Sequence, residues 1–208
     1  MGEDESKNIL KNILKCSNED MVRLNIFENM LLEYNIKYNL ISKATEALIW
    51  SRHILDSAQL INLFQSTLKA KLVDFGSGAG FPGLVIAILN KNPKIHVNLY
   101  DKSPVKRDFL QKICKKLHVK AEIKGNIYEN KKIDADIIVS RAFKKLDQII
   151  KISREMILKN HKIIILKGKN AQKEINNLSL GENYSYKLVN SITNTDSKII
   201  IIDAKKNE

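Results

Sequence analysis

Along the first third of the chain the apolar positions recur every three or four residues: Ile9, Leu10, Ile13 and Leu14, then Met21, Leu24, Phe27 and Leu31. That spacing places them on one face of a helix, and no glycine or proline interrupts it between Gly2 and residue 66. Residues 1–66 are therefore expected to form a helical region. From about residue 68 the pattern changes to short apolar runs separated by amphipathic stretches, as in a parallel sheet covered on both faces. Strands are predicted at about 70–75, 95–100, 119–124, 135–140 and 162–167, and helices at about 82–90, 103–117 and 145–159. Ser103 and Pro104 mark the start of the second of these helices as N-cap and first-turn proline. After a helix near 170–178, residues 182–190 and 198–204 read as two strands joined by a turn-rich segment, an antiparallel closure of the sheet.

The first predicted strand runs into Asp74-Phe75-Gly76-Ser77-Gly78-Ala79-Gly80-Phe81-Pro82-Gly83. Glycines at alternate positions after a strand allow positive φ and a close approach of backbone to a ligand. The dinucleotide fingerprint would place its third glycine at Phe81, but here it stands at Gly80, and no Lys-Ser or Lys-Thr follows to make a P-loop. The form D-x-G-x-G-x-G resembles motif I of class I S-adenosylmethionine (SAM) methyltransferases. Asp101 ends the second strand, 25 residues after Gly76, where a carboxylate can accept hydrogen bonds from both hydroxyls of a ribose. Gly76, Gly78 and Asp101 are thus candidates for binding SAM, and Ile127 and Tyr128, after the third strand, for holding its adenine.

Charge changes the picture next. Lys and Arg number 35 against 23 Asp and Glu, a net charge of +12 over 208 residues, which favours a polyanionic partner such as nucleic acid. Cys16 and Cys114 stand far apart with no accompanying His cluster, so neither a disulfide framework nor a metal site is expected. No run reaches the roughly 18 apolar residues of a membrane span, and the N-terminus is acidic where a signal peptide would be basic. A cytoplasmic monomer, without metal or membrane association, is expected.

At the end of the fourth strand stands Ser140-Arg141-Ala142-Phe143. Amino-directed nucleic-acid methyltransferases carry a D/N/S-P-P-Y/F/W stretch there and C5-cytosine enzymes a cysteine nucleophile, so neither chemistry fits. An acceptor that already has a lone pair and no proton to lose needs no such machinery, and guanine N7 is one. Arg141 is a candidate for contacting cofactor, guanine edge or phosphate; read without a ligand, it is a surface ion-pair partner. Lys167, at the carboxyl end of the fifth strand, could neutralise a phosphate. Arg52, His53 and Asp56 fall within one helical turn, which on the residues alone reads as a solvated face.

Taken in order, Tyr38-Asn39-Leu40-x-Ser42, Arg52-His53-Ile54-Leu55-Asp56-Ser57, the glycine loop with its Phe81-Pro82-Gly83 ending, Leu99-x-Asp101-x-x-x-Lys106-Arg107-x-Phe109-Leu110, Ser140-Arg141-Ala142-Phe143 and Leu166-Lys167-Gly168 resemble the glucose-inhibited division protein B family, bacterial guanine-N7 methyltransferases of 16S ribosomal RNA. The resemblance spans about residues 30–170. It implies a helical region at 1–66 and a SAM methyltransferase domain at 67–208, an α/β fold with a Rossmann-like sheet in the order 3-2-1-4-5-7-6 and its last strand antiparallel. It also implies methyl transfer to a guanine of 16S rRNA, free or in the 30S particle, with S-adenosylhomocysteine as product. Gly76, Phe81, Ile127, Tyr128 and Arg141 would contact SAM, and Arg52, His53, Asp56 and Lys167 would line the mouth of the site. Two departures stand out: Ser77 where the family often has Thr, and Ile127-Tyr128 where a small residue and Glu are common. A basic rRNA-binding assembly protein without turnover, and a small-molecule methyltransferase, are the competing readings.

Overall fold

A computed structural model describes residues 1–64, 67–178 and 180–206. Its apolar runs pair into one seven-stranded sheet in the order β3-β2-β1-β4-β5-β7-β6. β1 (Ala70–Phe75), β2 (Ile95–Tyr100), β3 (Ala121–Lys124), β4 (Ile137–Arg141) and β5 (His161–Lys167) are parallel. β7 (Lys198–Ala204) runs antiparallel between β5 and β6 (Tyr184–Asn190). This is the sheet expected from the sequence. Side chains alternate across it, Ile163 and Ile165 packing into one apolar cluster while Ile164 and Leu166 pack into the other. Burial on both faces requires the near-continuous apolar strands.

α6 (Leu146–Met156) and α7 (Ala171–Asn176) cover one face; α4 (Gly83–Leu89) and α5 (Pro104–Leu117) cover the other. Over α4 and α5 lie α1 (Glu3–Asn12) and α2 (Asn18–Tyr38). Leu24, Phe27 and Leu31 of α2 are fully buried in the same cluster as Leu84 and Phe109. Arg23 ties the two layers by donating to the carbonyls of Ile88 (2.9 Å) and Leu117 (3.2 Å). α2 begins in a capping box, the Asp20 amide donating to the Ser17 hydroxyl and the Ser17 amide to the Asp20 carboxylate. Asn39, in the left-handed region (φ 48°), ends it.

The chain then winds through a 3₁₀ segment (Lys43–Leu48), a π-helical one (Ile49–Leu55), the single turn α3 (Asp56–Ala58) and a second 3₁₀ segment (Gln59–Leu63). The boundary expected at residue 66 lies outside the described residues. Several other boundaries shift by a residue or more, two of them with a visible cause. β3 starts at Ala121 rather than 119, because His118 takes the left-handed cap of α5 and the Val119 amide donates back to Cys114 O. α6 stops at Met156, whose carbonyl accepts from Ile133. Among the described residues no helix is long and apolar enough to cross a membrane, and no cluster of His, Cys, Asp or Glu could hold a metal ion.

Candidate active site

The carboxyl ends of the parallel strands converge on the glycine loop. Gly76 has φ +75°, and a Cβ there would collide with the Phe143 ring, so both conformation and space demand glycine. Gly83 is required for packing: its Cβ would lie 2.5 Å from Leu99 Cδ2 and 2.6 Å from Asp74 Oδ2. The Gly83 amide instead donates to Asp74 Oδ2 at 2.9 Å, fixing the start of α4. Asp74 is fully buried, and burial pushes its carboxyl up to about 7 against the lowering effect of the Gly83 amide and Ser77. Asp101 grips the loop from β2. Its Oδ2 accepts from the Gly78 amide and its Oδ1 from the Ser103 amide, each at 2.8 Å, leaving a second lone pair on each oxygen.

Gly76, Gly78, Asp101, Ile127 and Tyr128 line one cavity of about 450 Å³, closed by Phe143 and edged by Lys102, Lys106 and Lys144. Its size suits a nucleoside-sized ligand. Phe81 is not on its wall. Buried at 3 % exposure, the Phe81 ring stacks on His53 (centroids 4.9 Å apart), carries Arg141 Cζ 4.8 Å from its centroid, and packs against Phe27.

Arg141 projects from the end of β4 into a neighbouring cavity of about 660 Å³ that also has Arg52, His53, Asp56 and Lys167 on its wall. Ala142 borders both cavities. One guanidinium nitrogen donates to the Arg52 carbonyl and the other faces His53 Nδ1, both at 2.6 Å, while Asp56 Oδ2 lies 3.8 Å away. Because the guanidinium only donates, Nδ1 must accept and the proton sits on Nε2. Burial and the adjoining Arg141 hold His53 down to about 3, so the ring is neutral. Burial pushes Asp56 up; Arg141, Thr193 and Ser191 counter it.

The solvated-face reading of Arg52, His53 and Asp56 is therefore corrected. His53 and Asp56 face inward because β4 offers a buried cation, and of the three only the Arg52 side chain stays exposed. Arg141 likewise is 16 % exposed and paired inward, rather than on the surface. Lys167 is anchored to Glu174 of α7 at 2.9 Å. Sequence reasoning missed Gln59, Ser191 and Thr193, which hold Asp56 from up to 137 positions away. The i, i+3 spacing from Asp56 could have signalled Gln59, but no local spacing could signal Ser191 or Thr193. The fit of Phe143 over Gly76 lay unnoticed within a motif already singled out. A further cavity of about 290 Å³, at the amino edge of the sheet, is a seam between the α1–α2 connection and the end of α4, its Asp20 already held by Lys91.

Comparison with known proteins agrees with this geometry. The family model GidB, rRNA small subunit methyltransferase G, matches residues 20–201. The chain belongs to the GidB family. It is 36% identical over 204 residues to ribosomal RNA small subunit methyltransferase G of Pelagibacter ubique (strain HTCC1062), covering 93% of this chain and 95% of that one. The protein of the same name from Rickettsia prowazekii (strain Madrid E) is 34% identical over 190 residues, covering 91% and 97%. Among solved structures, cofactor-bound Rv0187 from MTB superposes with a TM-score of 0.71 at 10% identity, over 100% of this chain and 99% of that one. A mutant of MtNAS in complex with S-adenosylmethionine gives 0.57 at 13% identity, over 100% and 85%. At those identities the structures speak for the fold alone, which the GidB chain shares.

Proposed function

We propose that this GidB-family protein transfers the methyl group of SAM to N7 of a guanine in 16S ribosomal RNA. The observation that carries the acceptor is the state of the groups around Arg141. His53 is the ring placed to act as a base, yet its Nδ1 is occupied by the guanidinium and its Nε2 carries the proton. Asp56 is occupied by Arg141 and by neutral donors. With His53 and Asp56 both engaged, neither of these two groups is free to take a proton, which favours an acceptor whose lone pair is already exposed, as it is on guanine N7 and is not on an exocyclic amine.

The glycine loop fits SAM: Gly76 and Gly78 line the cavity with Asp101, and a Cβ at Gly76 would run into the Phe143 ring on the same wall. Bound SAM supplies an electrophilic methyl group on a sulfonium. Gly76 and Gly78 leave room for it, Asp101 accepts from its ribose, and Ile127 and Tyr128 flank its adenine. Phe81 acts from beneath, as the platform for Arg141 and His53. Arg141 and Arg52 orient the guanine and its phosphate, with Lys167 as a fixed charge behind them; alignment of this kind can supply several kcal/mol of barrier lowering. The chain divides into an N-terminal region at 1–66, whose described residues cap α4 and α5, and a methyltransferase domain at 67–208, and the protein acts as a cytoplasmic monomer without metal.

Incubation with tritiated SAM and 16S rRNA or 30S particles, followed by borohydride and aniline cleavage, reads the modified atom. Label that cleaves at a guanine supports the reading. Binding of SAM with no labelled guanine in either substrate overturns it.

A further inference from the structure

We propose that the turn between β6 and β7 positions Arg141 at a distance: Ser191, Thr193 and Gln59 grip Asp56, and Asp56 with His53 sets the direction of the guanidinium. Asp56 Oδ1 receives the Gln59 amide at 2.9 Å, the Thr193 hydroxyl at 3.0 Å and the Ser191 hydroxyl at 3.3 Å. Three donors on one oxygen leave Oδ2 for Arg141. At 3.8 Å it orients the cation by charge while the two ends of the fork bond to the Arg52 carbonyl and His53. Gln59 is itself pinned, its Oε1 accepting from the Ile192 amide at 3.0 Å, so side chain and turn hold one another.

These contacts are not needed to close the turn. Ser197 donates to Asn194 O at 3.0 Å, Asp196 to Asn194 Oδ1 at 2.8 Å, and the Ser191 amide to Ser197 O at 3.0 Å. The Thr193 hydroxyl also meets the Ser191 hydroxyl at 2.8 Å within the turn, and from there it reaches Asp56 on the segment that holds Arg141. Thr193 also lies on the wall of the 660 Å³ cavity with Arg141. Ser191, Thr193 and Gln59 are positioning residues acting through Asp56.

The charged and titratable groups facing Asp56 are Arg141 from β4, Arg52 and His53 from its own segment, and Lys167 from β5 across the cavity, with Asp74 of β1 behind Arg141. Removing a donor to the ionised carboxylate favours its protonation, so the charge that orients Arg141 is lost at a higher pH.

The inference rests on the proposed methyl transfer, and two readouts keep their failures apart. The first is a ¹³C NMR titration of the Asp56 carboxylate, assigned with Asp56→Asn, in wild type, Thr193→Val and Thr193→Ser. The second is the pH profile of kcat/KM for rRNA methylation in the same proteins. Thr193→Val is expected to raise the Asp56 midpoint by about half a unit or more and to carry the acid limb of the rate profile with it. Its kcat should fall about tenfold with KM for SAM nearly unchanged, and Thr193→Ser should restore both. Ser191→Ala, removing the longer contact, should give a smaller shift of the same sign. An unmoved Asp56 midpoint in both Thr193→Val and Ser191→Ala, or no recovery with Thr193→Ser, overturns the clamp. If wild type labels no guanine, the proposed function falls while the NMR shift still decides whether the turn controls Asp56.

Discussion

At the scale of single residues, the site is built from atoms that have one acceptable partner. A methyl group at Gly76 meets the Phe143 ring and forces a non-glycine residue to φ +75°. Strain of this kind costs roughly 1–3 kcal/mol. Gly76→Ala is expected to lower the melting temperature by several degrees and to abolish SAM uptake in calorimetry; retained binding would mean the loop does not cradle the cofactor. Arg141→Lys keeps a charge but loses the fork that spans the Arg52 carbonyl and His53. We expect SAM affinity within a few fold of wild type and kcat lower by on the order of a hundredfold, or ~2.7 kcal/mol. Asp74 carries a pH signature. Its folded pKa, about 7, lies above the ordinary 3.8, so the folded state holds the proton more tightly. Its stabilising contribution is full below about 4 and is lost as pH rises through 7. His53, held at about 3, works oppositely: its contribution is full above 6.5 and is lost as pH falls toward 3. The two offset each other in between, leaving Asp74 visible above 6.5. Urea midpoints of the cofactor-free protein should therefore decline from about pH 6.5 to 8, and Asp74→Asn should flatten that decline.

Elements explain which of these residues could be foreseen. The strand, the glycine loop and the carboxylate on the neighbouring strand follow from a parallel βαβ unit, where β1 and β2 run side by side and bring Asp101 to Gly78. That rule is local, so the spacing alone pointed to the cavity that Gly76, Gly78 and Asp101 line. The segment from Lys43 to Leu63 obeys no such rule. It passes through 3₁₀, π and α turns, and the π turn at Ile49–Leu55 carries Arg52 and His53 toward β4. Helical spacing places His53 and Asp56 on one face but does not say whether that face meets solvent or a buried arginine. Phe81 shows the same limit: the family resemblance implied a SAM contact there, and only packing placed its ring against Arg141 and His53. Where an element is stabilised by its own cap, stability and chemistry should separate. Ser17→Ala removes the capping box of α2 and is expected to cost about 1 kcal/mol in denaturant unfolding with rRNA methylation unchanged. A matching loss of activity would place α2 in the site.

Over the whole molecule, the net charge of +12 acts where side-chain geometry does not. Several lysines edge the cofactor cavity, and Arg52 and Lys167 line the second. If about six phosphates are neutralised, the logarithm of rRNA affinity should fall with the logarithm of salt at a slope near −4, while SAM affinity stays nearly flat. Filter binding from 50 to 300 mM salt, roughly the range where screening changes most, separates a basic rRNA surface from incidental lysine enrichment. The alternation of strands and helices, the glycine loop, Asp101 and the basic balance were determined by the sequence itself, because each depends on local spacing or on composition, whereas the order of the strands was implied by the family resemblance. The tertiary structure alone decided that His53 is neutral and protonated on Nε2, that Phe81 is a platform, and that Thr193 reaches Asp56 across 137 positions. Those facts arise from burial and from contacts between distant segments, and a linear pattern encodes neither until the sheet has closed and the helices have packed upon it.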